Sequence, residues 1–388
     1  MKLLRIVFWL LMPVFLCAGL YTGMRIWYIF LFAQVLLLLV ILGLNQWTVR
    51  TFSYTQTLDA DTGVKGEETG LHLSVRNEKP FPLSMMRVDV EMAAPSENTQ
   101  VSFSLLPFAG REFDFRVRTP YRGVYPMGIT TMRITDVFGL LPMRFDMRRL
   151  HYYRQPELTV YPRAEAPGSL YADVADEKLF GERYLLSAES GSSVTGARAY
   201  RPGDPLKQIH WKKTAARGEV YVKQYEQPMR ENILVLLDNA NHGLTGEAAL
   251  AAADTACEAA ACITLHCLSR HRSAALLAMN GTRGVRQGEE ALDLGDFERL
   301  RRWLAQLPFD AEPLPDPLPP EALAGNSALI LVTSAYTREL EDLIARVSPY
   351  FSAVTPVLVG DGPGEDPPPD AIRLPVGCDV AAELIALD

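Results

Sequence analysis

The sequence predicts a multi-domain chain. It reads as a transmembrane helical hairpin (residues 1–47), a small all-β sandwich (48–160), a connector carrying a basic motif block (161–230) and a doubly wound α/β domain (231–388). Three observations lead there. Two uncharged apolar stretches, Ile6–Met24 and Ile26–Leu44, open the chain. Apolar and polar residues then alternate with a period of two, the habit of half-buried strands. From Asn232 onward the pattern changes to continuous apolar runs separated by segments of helical spacing, as a parallel sheet covered on both faces requires.

Each opening stretch has 19 residues, about 28 Å of helix and enough to cross a bilayer core. Only Arg25 separates them, so the turn is tight and both ends fall on one side. Lys2 and Arg5 precede the pair, and Arg50 and Lys65 follow it. The excess of positive charge favours a cytoplasmic N-terminus and cytoplasmic soluble domains: a two-pass protein of the cell membrane. Pro13 kinks the first helix, which membranes tolerate. A cleaved signal peptide is the competing reading. It leaves the second stretch unexplained, and Phe15-Leu16 ahead of Cys17 is too bulky for a lipoprotein site.

In the β-region, Leu71–Val75, Met86–Met92 and Glu112–Arg118 alternate, and turn formers such as Asp61-Thr62-Gly63 and Ala94-Pro95-Ser96 separate such runs. This spacing suits a small antiparallel sandwich. Residues 161 to about 190 lack clear periodicity and read as a connector. In the α/β region, Ile233–Leu237 ends in Asp238, and Ser273–Met279, Ser327–Thr333 and Val354–Val359 are further strands. An alanine-rich helix runs from Glu247 to about Arg270. Phe297, Leu300, Leu304 and Leu307 mark another helix, and Leu340, Leu343, Ile344 and Val347 a third.

A net charge of −8 does not suit a nucleic-acid binder. Of the five cysteines, Cys257, Cys262 and Cys267 share one helical segment, with Cys17 and Cys378 apart. No secreted disulfide framework emerges, and reduced thiols are the simpler reading.

The motif block is Tyr200 to Gly218. Pro202-Gly203 suits the centre of a type II turn. Asp204 then fits a helix N-cap with Pro205 at the first helical position, and Gly218 fits the closing residue. Trp211 is expected to pin this short helix by packing, and Glu219–Tyr225 alternates like a strand. Eight basic residues (Arg198, Arg201, Lys207, Lys212, Lys213, Arg217, Lys223, Arg230) stand here against three acidic ones (Asp204, Glu219, Glu226). Such a surface is either a solvated basic face or a docking face for an acidic protein or anionic lipid head groups.

Elsewhere the chemistry is sparse. No Gly-rich dinucleotide fingerprint or Walker lysine motif occurs, so no cofactor is expected. Gly191–Gly196 reads as a polar loop. No triad spacing singles out a catalytic residue among His72, His151, His210, His242, His266 and His271. The pairs Cys262/His266 and Cys267/His271 have i, i+4 spacing but point apart by about 140° on the helix, so they form no four-ligand site. Asp238, at a strand's carboxyl end, is the one metal candidate, and Asn239, Ala240, Asn241 and His242 after it bring no hydroxyl ligands.

At Tyr200–Asp204, Ile209–Lys212 and Ala216-Arg217 the chain resembles the domain-of-unknown-function fifty-eight family of bacterial membrane proteins. Arg122–Tyr125 and Asp136–Leu140 resemble that family's β-region, and Ile233–Asp238 is similar to the start of its von Willebrand factor A-like domain. The resemblance implies a von Willebrand factor A-like α/β domain and a membrane-anchored, non-enzymatic scaffold or adaptor. Its implied partners are the lipid bilayer, a MoxR-type AAA+ ATPase and a transglutaminase-like membrane protein, in envelope or complex-assembly processes. It also marks Arg201, Gly203, Asp204, His210, Trp211, Lys212 and Arg217 as the interaction residues. In von Willebrand A-like domains a metal often sits on Asp-x-Ser-x-Ser. Here Ala240 and His242 take the serine positions, and Thr333-Ser334 stands where a second carboxylate is expected. Two other classes of function remain open from the residues: a membrane-bound hydrolase acting with the transglutaminase-like neighbour, and a metal-dependent ligand-binding protein centred on Asp238.

Overall fold

Helices α1 (Lys2–Thr22) and α2 (Arg25–Arg50) form a hairpin in the computed structural model. Its turn is closed by Gly23 at φ 64°, whose N–H donates to the Gly19 carbonyl at 3.0 Å. That left-handed conformation costs glycine little. Phe15 packs on Trp27 and Phe30 across the pair. Both helices are long and apolar enough to cross a membrane. The structure describes the chain apart from residues 1, 94–97, 137, 169–170, 190–193, 200–208, 226–231, 280–284, 292, 310–325, 361, 363–366 and 387–388. It divides into two compact units, Met1–Tyr161 and Pro162–Asp388.

In the first unit the helices lead into ten strands: β1 (Ser53–Leu58), β2 (Thr62–Val64), β3 (Glu68–Arg76), β4 (Leu83–Glu91), β5 (Thr99–Leu105), β6 (Gly110–Arg118), β7 (Gly123–Pro126), β8 (Gly128–Thr135), β9 (Met143–Asp146) and β10 (Glu157–Tyr161). They make sheets in the orders β1-β3-β6, β5-β4-β8-β9 and β2-β10-β7. All pairings are antiparallel except β10 with β2. Alternation decides which side chains go inward. Leu71, Leu73 and Val75 of β3 meet Met86, Val88 and Val90 of β4 and Ile129, Met132 and Ile134 of β8 in one buried core.

The end of α2 is bonded to this sandwich. Asn45 Nδ2 donates to the Leu141 carbonyl at 3.3 Å, and Lys79 Nζ to the Thr51 carbonyl at 3.1 Å. The Tyr152 hydroxyl donates to the Val49 carbonyl, and the Trp47 and Phe81 rings lie 5.4 Å apart. Lys79 thereby satisfies a carbonyl that the helix end leaves without an intrahelical partner.

The second unit comprises α3 (Ala172–Glu189), β11 (Val194–Ala199), α4 (Trp211–Arg217), β12 (Tyr221–Tyr225), β13 (Asn232–Leu237), α5 (Gly246–Ser269), β14 (Ser273–Met279), β15 (Val285–Ala291), α6 (Leu294–Gln306), β16 (Ala328–Thr333), α7 (Arg338–Val347), β17 (Ala353–Val359), β18 (Ile372–Leu374) and α8 (Val380–Ile385). Its six-stranded sheet runs β15-β14-β13-β16-β17-β18, parallel except for the β15 edge. Ile233, Val235 and Leu237 of β13 face the core made with α5 and α6. Leu234 and Leu236 face Leu340, Leu343 and Val347 of α7. Helices therefore cover both faces, as the continuous apolar runs demand. Helix α5 is also apolar and long enough to cross a membrane, yet 72% of its apolar window is buried inside the unit.

Helix α3 corrects the reading of residues 161–190 as a connector. Ala175, Leu179 and Phe180 enter the main core, and the helix kinks at Gly181, which takes φ 74° and ψ 157°.

Candidate functional site

The motif block folds back on itself. Ile209 bridges to Val222, and the His210 N–H donates to the Tyr221 carbonyl at 2.7 Å. His210 then ends the strand-like pairing and opens α4: its Nδ1 accepts from Lys213 N at 3.3 Å. The cap is therefore His210, and the helix begins six residues later than a cap at Asp204 would place it. Gly218 closes the helix at φ 73°, as its position in the sequence predicts. Thr214 Oγ1 accepts from Tyr221 N at 3.0 Å, and Lys213 Nζ and the Arg217 guanidinium lie over the Tyr221 ring at 5.2 and 6.0 Å. These contacts fix one side of α4 to β12.

The other side faces out. Trp211 is 68% exposed, and Lys212 and Arg217 are exposed beside it. The expectation that Trp211 packs to pin the helix is thus corrected: Thr214 and Tyr221 do the pinning. Arg201, Gly203 and Asp204 lie outside the described residues, as does the turn assigned to Pro202-Gly203.

A second cluster lies at the carboxyl ends of β13 and β16. Strand order reverses there, since β14 and β16 flank β13 on opposite sides. Asp238 is buried. Its Oδ1 accepts from Ala240 N at 3.1 Å, and its Oδ2 lies 2.6 Å from His242 Nε2 and 2.9 Å from Thr333 Oγ1. The hydrogen bond to Asp238 raises the His242 pKa, against burial, which lowers it. His242 sits at φ 43°, an uncommon conformation for a non-glycine residue. The backbone of Gly362 runs so close that a Cβ there would fall 1.6 Å from the Ser334 carbonyl oxygen.

The donor set does not suit Mg²⁺. Ala240 brings no oxygen, His242 already engages Oδ2, and a hard cation seeks six oxygen ligands. No group of three or more His, Cys, Asp or Glu side chains arranged for a metal occurs among the described residues. His242 Nδ1 makes no hydrogen bond to a nucleophile among the described residues.

A third cluster has no counterpart in the reading of the sequence. Asp176 of α3, itself buried, receives His266 Nε2 at 2.7 Å, Arg272 Nη1 at 2.9 Å and Arg270 Nε at 3.1 Å. Arg270 also reaches Asp173 at 2.7 Å, and Arg272 stacks over Phe180 at 4.9 Å. Burial pushes the Asp176 pKa up, but the His266 hydrogen bond and the Arg272 charge outweigh it and leave it lowered. His266 is thus the donor of a clasp between α3 and the end of α5. Cys262 and Cys267 are buried thiols pushed up to about 12, chiefly by desolvation. The signal available in the sequence was the Arg270-His271-Arg272 run ending a helix, with Asp173 and Asp176 on one face of another.

The family described as "Protein of unknown function DUF58" matches residues 196–292. The uncharacterized protein YeaD of Bacillus subtilis is 23% identical over 207 residues, 49% of this chain and 48% of that protein. The match thus spans about half of the relative's length. Among solved structures, the CARDB domain of the PF1109 protein from Pyrococcus furiosus is similar at 12% identity and a TM-score of 0.21. The likeness covers 29% of this chain and 94% of that one. The sporulation control protein Spo0M of Bacillus subtilis is similar at 13% identity and a TM-score of 0.18, over 39% of this chain and 58% of that one. At such scores neither likeness bears on fold or function. The exposed α4 surface and strands β12 to β15 all fall within residues 196–292, the segment that matches the DUF58 family.

Proposed function

We propose that the chain is a membrane-anchored, non-enzymatic scaffold or adaptor whose α4 surface engages a MoxR-type AAA+ ATPase in envelope or complex-assembly work. In this reading α1 and α2 hold it in the cell membrane with both soluble units on the cytoplasmic side, and the sheet of the second unit is von Willebrand factor A-like. The observation that carries the proposal is Trp211, exposed on a helix fixed from behind by Thr214 and Tyr221. Tryptophan and arginine dominate the energetics of protein interfaces, and a pre-organised mount lowers the cost of ordering on binding. The internal engagement of both Asp238 oxygens supports a structural rather than catalytic role for that carboxylate.

Co-purification of the detergent-solubilised chain with the ATPase, with and without nucleotide, tests this. Trp211→Ala and the pair Lys212→Glu/Arg217→Glu are each expected to lose about 2 kcal/mol of binding, about 30-fold in affinity. The melting temperature of Trp211→Ala stays unchanged, because that side chain is exposed, whereas the charge-reversed pair also gives up the Arg217 contact with the Tyr221 ring, worth about 0.5–1 kcal/mol. An ATPase absent from the eluate under both nucleotide conditions, or retained equally by the variants, refutes the reading.

A further inference from the structure

Among the described residues of the first unit beyond α2, the large apolar side chains left exposed are Met85, Leu106, Phe108, Val124 and Phe138. All but Val124 lie at one end of the sandwich. The strand registers establish this. Ser53, where β1 leaves α2, pairs with Arg76 at the end of β3, and Arg76 pairs with Gly110 at the start of β6. Leu83, opening β4, pairs with Leu105, closing β5, and Met85 pairs with Thr135, closing β8. The connections 77–82, 106–109 and 136–142 therefore gather where α2 delivers the chain. The opposite end, where Glu68 pairs with Arg118, exposes Asp61, Glu67, Glu68 and Arg118.

Contacts tie the connections 77–82 and 136–142 to the end of α2. Lys79 and Phe81 reach Thr51 and Trp47, and Leu141 receives Asn45. The buried amide of Asn77 donates both to the Phe81 carbonyl at 2.9 Å and to the Leu106 carbonyl at 3.0 Å, which fastens the 106–109 connection beside 77–82. Asn45 is the first residue after the apolar stretch Ile26–Leu44 of α2, and Trp47 lies within the next turn. Tryptophan favours the membrane–water boundary, so these contacts set the height of the loops.

The loops are also built to hold their apolar tips outward. Phe108, 65% exposed, sits at φ 58°, a region bulky residues rarely occupy. Its turn is fixed by Ala109 N to the Leu106 carbonyl and Asn77 N to the Ala109 carbonyl. Phe138 rides on a turn in which the Asp136 carboxylate accepts from the backbone N–H groups of Phe138, Leu140 and Leu141. A bulky side chain held in the left-handed region and still solvent-facing is spent on something outside the unit.

We infer that this end of the β-unit is seated in the bilayer interface, with Leu106, Phe108 and Phe138 inserted among head groups and upper acyl chains beside α2. The inference rests on the membrane-anchored reading. Lipid is the occupant because the patch continues the apolar surface of α2 through Trp47 and Phe81. Inserted side chains give the sandwich a second hold on the membrane, beside its contacts with the end of α2.

The test uses the full-length chain, with Cys17→Ala and Cys378→Ala, in vesicles of phosphatidylethanolamine and phosphatidylglycerol. Leu106→Cys, Phe108→Cys, Phe138→Cys, Val124→Cys and Leu36→Cys, one at a time, carry a nitroxide. Accessibility to oxygen is compared with accessibility to a water-soluble nickel chelate. The three loop labels are expected to favour oxygen, as Leu36 does at mid-span, while Val124 favours nickel. Loop labels that favour nickel while Leu36 favours oxygen overturn the inference and leave the anchoring intact. Loop labels shielded from both reagents show a protein covering the patch and also overturn it. A Leu36 label open to nickel removes the anchoring reading itself, and the inference with it.

Discussion

Replacing Asp176 with alanine removes the one carboxylate that receives His266, Arg270 and Arg272 together. Arg270 is 37% exposed and keeps Asp173, so its loss is small. His266 is fully buried and Arg272 is 13% exposed, so both lose an anionic partner away from water. Breaking such a buried pair costs about 3–5 kcal/mol. For a unit of about 230 residues, each kcal/mol moves the melting temperature by about 2–4 °C, so a fall of about 6–20 °C is expected. Calorimetry of the detergent-solubilised chain reads this directly, and the isosteric Asp176→Asn separates lost charge from lost packing. The pH dependence carries a sign. The Asp176 pKa is lowered in the folded state, so its stabilisation is present above the unfolded carboxylate value near about 3.9 and is lost as pH falls through the folded value. The gap between wild type and variant should therefore be steady at neutral pH and close in acid. A shift under about 2 °C, worth less than about 1 kcal/mol, would falsify the clasp.

Three further outcomes are expected. His242→Ala leaves Asp238 Oδ2 with Thr333 alone and costs about 1–3 kcal/mol. Because the His242 pKa is raised by Asp238, the wild-type advantage is full below about pH 6.5 and fades as pH rises through the folded value; denaturation across pH that shows a growing advantage in alkali contradicts the pairing. Gly362→Ala forces a Cβ to 1.6 Å from backbone that cannot turn aside, with a loss of at least about 1–3 kcal/mol in chemical denaturation; an unchanged midpoint refutes the close approach. Lys79→Met keeps the buried stem but withdraws the ammonium from the Thr51 carbonyl, and thermal unfolding should report a loss of about 1 kcal/mol; wild-type stability there would mean the α2 end is satisfied by other means.

The α/β sheet was legible where burial on both faces forces a continuous apolar run. Ser273–Met279 matches β14 to the residue, and β13, β16 and β17 fall within one. The strand β15 was not legible, because Val285–Ala291 is largely polar and owes its conformation to pairing with β14. Helix α3 escaped because the kink at Gly181 breaks its period and charges crowd its first half. The Asp176 clasp joins residues 90 to 96 positions apart, a distance over which local patterning says nothing. Within the motif block Gly218 was readable, since a left-handed closing residue favours glycine. The start of α4 was not, because the cap is a histidine that first has to be placed by its bond to Tyr221. That later start puts Trp211 in the first turn, facing outward.

Helix α5 carries a hazard for biogenesis. As it leaves the ribosome it has the length and hydropathy of a third span, and the strands that will cover it on one flank, β14 onward, are not yet made. Lateral entry into lipid at that moment would carry everything after Ser269 to the opposite compartment. Asp254 and Glu258, buried near its middle, oppose such an entry energetically: an aspartate at a helix centre costs about 2.5–3.5 kcal/mol to insert. The same two acids lie buried in the folded unit and are costly in hydrocarbon, so their presence weighs against a third span.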